Sequence, residues 1–373
     1  MKNPFTVTGY AGAKYFCDRE EETKKIISAV ENGRNIVLYS IRRLGKTQLI
    51  KHVFSSLGKN KKYITVYLDI YHTRDLKSFT QSFAEAVFSA LTTNPASILE
   101  KAAKVLSNLR VALSFDPFSG KTILTFDIKT PQESEATLRK IFEHISAQKK
   151  QVVVAIDEFQ QVSLYPEDTT EALLRSFMSE CTNASFIFSG SVNHLLISMF
   201  ASANRPFYQS AEMLRLQKIE TAVYARFAKR LFNSKGTNLP LSLATECIQW
   251  CRNHTYFVQR LFNRLYSLPV EEITGDVIQR TKNELLLEAE PVFNDYVNFY
   301  TQFQWKLLSA VAKEDGAQSV YSTEFINKYE LGSTSSVRTA LQSLIRRDAI
   351  YEEDNKYFVA DLFFSRWLEM KIR

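Results

Sequence analysis

The chain has 373 residues, with 45% hydrophobic and 23% charged positions and a formal net charge of +7. That length exceeds one ordinary domain, so two or three compact units are expected. No apolar run approaches the roughly 20 residues that span a bilayer, and the four cysteines are too few and scattered for a disulfide framework, which excludes a membrane-spanning or disulfide-stapled protein.

The start, Met1-Lys2-Asn3-Pro4-Phe5-Thr6, lacks an apolar signal core, so a soluble, cytoplasmic protein is expected, with no membrane among its partners. The charge is unevenly placed. Residues 1–62 hold thirteen Lys/Arg against five Asp/Glu, whereas residues 304–373 hold ten of each. The basic excess favours an anionic ligand near the N-terminal part of the chain, with a solvated run at Lys59–Lys62 accounting for some of it.

Taken in chain order, β-type runs at Asn35–Ser40, Tyr63–Asp69, Gln151–Ile156, Ser185–Ser189 and Met213–Leu216 alternate with helical stretches. This rhythm predicts an α/β fold, a parallel sheet with helices on both faces. An insertion over 93–131 interrupts it, and two alternating runs, Arg110–Phe115 and Thr122–Ile128, flank Asp116-Pro117-Phe118-Ser119-Gly120 as a predicted β-hairpin. After Glu220 the pattern turns helical, with segments at Ala222–Phe232, Leu243–Cys251 and Tyr256–Tyr266, then one long helix from Gly275 to Phe303. Cys247, Cys251 and His254 share helical spacing but lack a fourth ligand nearby, so a packed face is expected rather than zinc. The last 70 residues read helix, helix, helix, hairpin, helix, the order of a winged helix, with Gly332-Ser333-Thr334 as turn and cap. The expected domains are 1–219, the α/β core with its insertion at 93–131; 220–303, a helical lid and connecting helix; and 304–373, the winged helix.

The chemistry concentrates where a buried-type strand runs through a short loop into Gly45-Lys46-Thr47 and an apolar-periodic helix. That is the context of a P-loop, whose backbone N–H groups cradle phosphates while its lysine reaches the β and γ phosphates and its threonine ligates Mg²⁺. Ser40 stands where the usual motif begins with glycine. Arg42, Arg43, Leu44, Gly45, Lys46, Thr47 and Gln48 are the candidate nucleotide-binding residues.

Far downstream, Val152-Val-Val-Ala-Ile-Asp157-Glu158 places two carboxylates at the carboxyl edge of a strand, where α/β sheets bind ligands. Asp157 is the candidate holder of Mg²⁺ through water, with Thr47, and Glu158 the candidate general base. The next strand ends in Gly190-Ser191-Val192-Asn193, which makes Ser191 and Asn193 candidates for sensing the γ phosphate, although Asn193 serves equally as a helix cap. Arg205 is read either as an arginine finger or as a solvated loop residue.

Together these segments resemble the archaeal-type ATPases of the STAND class of P-loop NTPases, relatives of the AAA+ and origin-recognition ATPases. Tyr15-Phe-Cys-Asp-Arg-Glu-Glu-Glu22, Arg42–Thr47, Asp157–Gln160, Phe188–Ser191 and the tail Tyr357–Leu368 carry the resemblance. It implies ATP and Mg²⁺ as cofactors, a helical lid, a C-terminal winged helix, and Phe16 and Arg19 near the adenine end of the nucleotide. Read from the residues alone, Asp18–Glu22 is the acidic first turn of a helix. Two positions depart from the family. Arg252-Asn253-His254-Thr255 stands where relatives often carry a Gly-x-Pro element, and Ser210 lies where many carry an arginine.

A winged helix invites DNA as a partner, through Arg338, Gln342 and Arg346 on the recognition helix, beside Ser335, Ser336, Thr339 and Arg347. The balanced charge of that domain makes packing against the core an equal reading. The expected function is a slow Mg-dependent ATPase switch acting on DNA or on a protein partner; the alternative is a nucleotide-binding scaffold without turnover.

Overall fold

Helix α1 (Glu20–Glu31) leads into strand β1 (Ile36–Tyr39), helix α2 (Lys46–Leu57) and strand β2 (Tyr63–Asp69). These open a computed structural model that describes residues 3–92, 95–106, 111–115 and 122–371. There follow α3 (Leu76–Leu91), α4 (Pro95–Val105), β3 (Val111–Phe115), β4 (Thr122–Phe126), α5 (Pro131–Ser146), β5 (Gln151–Asp157), α6 (Thr170–Glu180), β6 (Ala184–Gly190), α7 (Asn193–Ala201) and β7 (Glu212–Arg215). The five expected sheet strands are present, with ends shifted by a residue or so, and pair in parallel in the order β2-β5-β6-β1-β7.

Alternation of side chains across the pleat explains why both faces are covered. In β5, Val152, Val154 and Ile156 join the core beneath α3, α5 and α6, while Val153 and Ala155 join the opposite core beneath α1 and α2. Because β6 lies between β1 and β5, the loops leaving β1, β6 and β5 emerge side by side at one edge of the sheet. The hairpin expected in the insertion forms as the antiparallel pair β3 and β4. Its turn, 116–121, and the expected start at Arg110 lie outside the described residues.

The chain divides into two compact units, Gly9–Lys218 and a second made of the residues up to Thr8 together with those from Ile219 on. In the second unit, helices α8 (Thr221–Lys235), α9 (Leu241–Trp250), α10 (Thr255–Ser267) and α11 (Gly275–Asp295) precede α12 (Gln302–Glu314), α13 (Thr323–Lys328), α14 (Thr334–Arg346), β8 (Ile350–Glu353), β9 (Lys356–Val359) and α15 (Leu362–Lys371). Phe5 is 0% exposed, with its ring 5.3 Å from that of Phe262 and 5.5 Å from that of Phe232. Asn263 donates to the Phe5 carbonyl at 2.6 Å and Asn3 donates to the Asn263 carbonyl at 2.8 Å, so the N-terminal segment is fixed among these helices.

The long helix expected from Gly275 to Phe303 is corrected. It stops at Asp295, a 3-10 turn covers Tyr296–Phe299, and Tyr300 is extended. The reason is a capping box, in which Thr301 accepts from the Gln304 N–H and the Gln304 side chain accepts from the Thr301 N–H, starting α12 afresh. The helix-helix-helix-hairpin-helix order of the tail is present, and Ser333 caps α14 by accepting from the Ser336 N–H at 3.2 Å.

Candidate functional site

The loop after β1 owes its shape to two left-handed residues, Arg43 (φ 69°) and Gly45 (φ 100°), the second capping α2. This turn aims the first N–H groups of α2 and the Lys46 side chain at the sheet edge. Lys46 is 7% exposed, and its Nζ donates to the carbonyl and the hydroxyl of Ser40, each at 3.2 Å. Burial lowers its pKa to about 8, against the opposing pull of Asp157 and Glu158, with Arg42 lowering it further. A desolvated ammonium whose hydrogen-bond partners are neutral oxygens fits an arriving phosphate, which restores the charge balance. Arg42 and Arg43 are exposed, Leu44 is buried, and Gln48 is half-buried on α2.

Asp157 ends β5 with 4% exposure and accepts from four donors. Oδ2 accepts from Thr47 Oγ1 at 2.7 Å and from the Tyr67 hydroxyl at 3.0 Å. Oδ1 accepts from Ser189 Oγ at 2.6 Å and from the Glu158 N–H at 3.1 Å. The next residue, Glu158, has φ 59°, a costly left-handed conformation for a side-chain-bearing residue. Its Oε2 accepts from Gln160 Nε2 at 2.6 Å, Ser191 Oγ at 2.8 Å and the Ser191 N–H at 3.2 Å. Gly190 makes room for this arrangement, because a Cβ there would stand 2.0 Å from Gln160 Oε1. Lys46, Thr47, Asp157, Glu158 and Ser191 are therefore brought together; Tyr67, Ser189 and Gln160 are members that sequence reasoning missed.

This geometry agrees with a comparison of sequences. Residues 16–246 match the family model described as "ATPase domain predominantly from Archaea". The chain belongs to this archaeal ATPase family. Residues 291–370 match a second model, "Probable winged helix domain". An uncharacterized ATP-binding protein of Methanocaldococcus jannaschii is 27% identical over 161 residues, 39% of this chain and 43% of that protein, so the matched segment spans less than half of that relative. Among solved structures, a Walker-type ATPase of Pyrococcus abyssi has a TM-score of 0.66 at 18% identity, covering 98% of this chain and 99% of its own. The Aeropyrum pernix ORC2 protein, solved in ADPNP-ADP complexes, has a TM-score of 0.55 at 11% identity, with 100% and 98% covered. The ORC1 protein of the same organism, solved in complex with DNA, has a TM-score of 0.52 at 11% identity, with 99% and 97% covered. At these identities the likeness shows the fold, a parallel-sheet P-loop ATPase with a C-terminal winged helix.

In this archaeal ATPase the remaining candidates lie on several separate elements. Phe16 stacks on His52 at 4.3 Å and 15°, and the Tyr10 hydroxyl lies 2.8 Å from His52 Nδ1, which makes an aromatic group beside α2. Arg19, buried and left-handed at φ 82°, pairs with Glu22 at 2.8 Å, while its Nη2 is buried without a hydrogen-bond partner. The acidic first turn read from sequence is present as Glu20, Glu21 and Glu22 of α1. Arg205 pairs with Glu171 of α6, so the structure joins it to that helix and not to the Lys46 and Glu158 group. Asn193 is the first residue of α7, and Val192 occupies the cap position.

His254 is buried, with its Nε2 3.1 Å from the Tyr351 hydroxyl of β8. The neighbouring Arg252 donates to Asp315 at 2.5 Å and to Ser365 Oγ at 2.9 Å, so this departure from the family pattern is spent on packing within the second unit. Cys247 and Cys251 are buried in the same core, where burial pushes the Cys247 thiol up to about 12. On α14, Arg338, Gln342 and Arg346 are exposed together with Ser335 and Thr339. The wing turns at Asp354 and Asn355, both left-handed, and carries Glu352, Glu353 and Asp354 against a single Lys356. Among the described residues no helix is long and apolar enough to cross a membrane.

Proposed function

We propose that the chain is a Mg-dependent ATPase that works as a nucleotide-dependent switch. The observation that carries this is the 2.7 Å bond from Thr47 to Asp157, which joins the P-loop to the carboxylate strand across 110 residues of sequence. Lys46 and the N–H groups at the start of α2 bind the phosphates, and Thr47 with Asp157 holds Mg²⁺. Bound there, Mg²⁺ supplies neutralisation of phosphate charge. Glu158 orients and polarises the attacking water through its carboxylate, which Ser191 and Gln160 hold by Oε2. Phe16 and Arg19 face the base, the buried Nη2 of Arg19 being the donor in want of an acceptor.

Within the family, the five matched motifs support membership in the STAND class, with turnover kept slow. The proposed organisation is a core at 1–219, a lid at 220–303 and a winged helix at 304–373, in the cytoplasm. A stoichiometric nucleotide-binding titration, with and without Mg²⁺, tests the reading. Wild type is expected to bind Mg·ATP, Lys46→Ala to lose binding, and Glu158→Gln to keep binding while losing hydrolysis; binding that ignores Lys46 would refute the site.

DNA is the second reading for the partner, favoured by the exposed row Arg338, Gln342 and Arg346 and by the DNA complex of the Aeropyrum pernix ORC1 protein. A protein partner is favoured by the acidic wing, which repels phosphates. Arg205 remains proposed as the transition-state arginine only if Glu171 releases it.

A further inference from the structure

Four donors on one carboxylate are more than holding it in place between two strands requires, and two of them come from residues with no role so far. Tyr67 sits on β2 in register with Ala155, and Ser189 sits near the end of β6, so they approach Asp157 from the two neighbouring strands. An aspartate carboxylate turns about a broad torsion, and each of its oxygens offers two lone pairs. Ser189 and the Glu158 N–H fix Oδ1, while Tyr67 and Thr47 share Oδ2 at 3.0 and 2.7 Å. The carboxylate plane is thereby set. Lys51 Nζ lies 5.3 Å from the centroid of the Tyr67 ring and adds a cation–π contact that fixes the phenol.

We infer that Tyr67 is a positioning residue for the metal site, turning Asp157 so that the single Thr47 hydroxyl hydrogen is committed to Oδ2 and the Thr47 lone pairs face a cation. The inference rests on the proposed reading of Thr47 and Asp157 as the Mg²⁺ holders. Outer partners of metal-holding carboxylates commonly change metal affinity by about 10–100-fold, and a neutral phenol belongs at the low end of that range.

The test uses the full chain and a fluorescent N-methylanthraniloyl ATP, titrated against Mg²⁺ and also in EDTA. Tyr67→Phe keeps the ring and removes only the hydroxyl. The expected result is a Mg²⁺ concentration for half-maximal binding about tenfold higher than in wild type, with metal-free affinity unchanged within about twofold and thermal unfolding cooperative. Ser189→Ala, which leaves Oδ1 with the Glu158 N–H as its one donor among those named, is expected to shift the Mg²⁺ midpoint in the same direction. An unchanged midpoint in Tyr67→Phe, whatever Ser189→Ala does, or an equal loss with and without Mg²⁺, overturns the positioning role of Tyr67 and leaves the nucleotide site intact. A wild type whose binding ignores Mg²⁺ overturns the underlying site and this inference with it.

Discussion

Burial holds the Lys46 ammonium at about 8, whereas an exposed lysine titrates near 10.5, and the sign of the consequence follows from charge. A phosphate prefers the protonated lysine, so nucleotide binding is undiminished below pH 8 and weakens as pH rises through it, by roughly tenfold at pH 9. Calorimetry across pH 7 to 9.5 checks this: binding should take up a proton above pH 8, and Lys46→Arg, whose charge persists, should flatten the profile. A flat wild-type profile would contradict the lowered pKa of Lys46, and the loss of binding in Lys46→Ala would then decide its phosphate role alone. Lys46, Thr47, Asp157 and Glu158 were legible in the sequence because each sits in a short local pattern whose chemistry depends on its immediate neighbours. Tyr67 and Ser189 were not, because an alternating strand residue shows its partner only when the β2-β5-β6 order is known. The one cue was that both stand within two residues of strand ends.

Loops leaving β1, β5 and β6 meet because of strand order, and Gly190 shows how tightly the meeting is packed. Gly190→Ala forces the Gln160 amide, a movable end, away from Glu158, at an expected cost of about 1–3 kcal/mol. A thermal unfolding midpoint equal to wild type would contradict that packing. In the winged helix, α14 offers Arg338 and Arg346 to solvent, but three carboxylates crowd the wing. If DNA is the partner through α14, each arginine-to-alanine change should reduce the slope of log affinity against log salt by about 1; unaltered slopes would move the choice to a protein partner. At this scale the element order was readable from periodicity, since strands and helices differ in period. The break at Tyr300 was missed although Thr301-x-x-Gln304 is a capping box, because the apolar and charged pattern runs through it without interruption.

The fold of the whole molecule uses contacts that no local pattern announces. Phe5, carried at the start of the chain, is fully buried among Phe232, Phe262 and Tyr266 of the second unit, so the chain enters that unit, leaves to build the sheet, and returns. Phe5→Ala should destabilise the second unit by about 3–5 kcal/mol, read by chemical denaturation; a change under about 1 kcal/mol would mean the segment is only loosely seated. Arg252, Arg366 and Asp315 tie the turn after α9 to the winged helix within that same unit. Burial works to raise the Asp315 pKa, but Arg252 and Arg366 outweigh it and hold the carboxyl below its ordinary range. Its stabilising effect is thus present above the unfolded-state value and lost as acid titrates the folded carboxyl, and because Asp315 is partly exposed the effect is at most about 1 kcal/mol. The measurement that bears most directly on the central claim is phosphate release from Mg·ATP by the purified chain, set beside Glu158→Gln. Wild type should release phosphate slowly, and the variant should retain bound nucleotide while release stops; nucleotide bound by wild type without any release, or release indifferent to Glu158, would contradict the account.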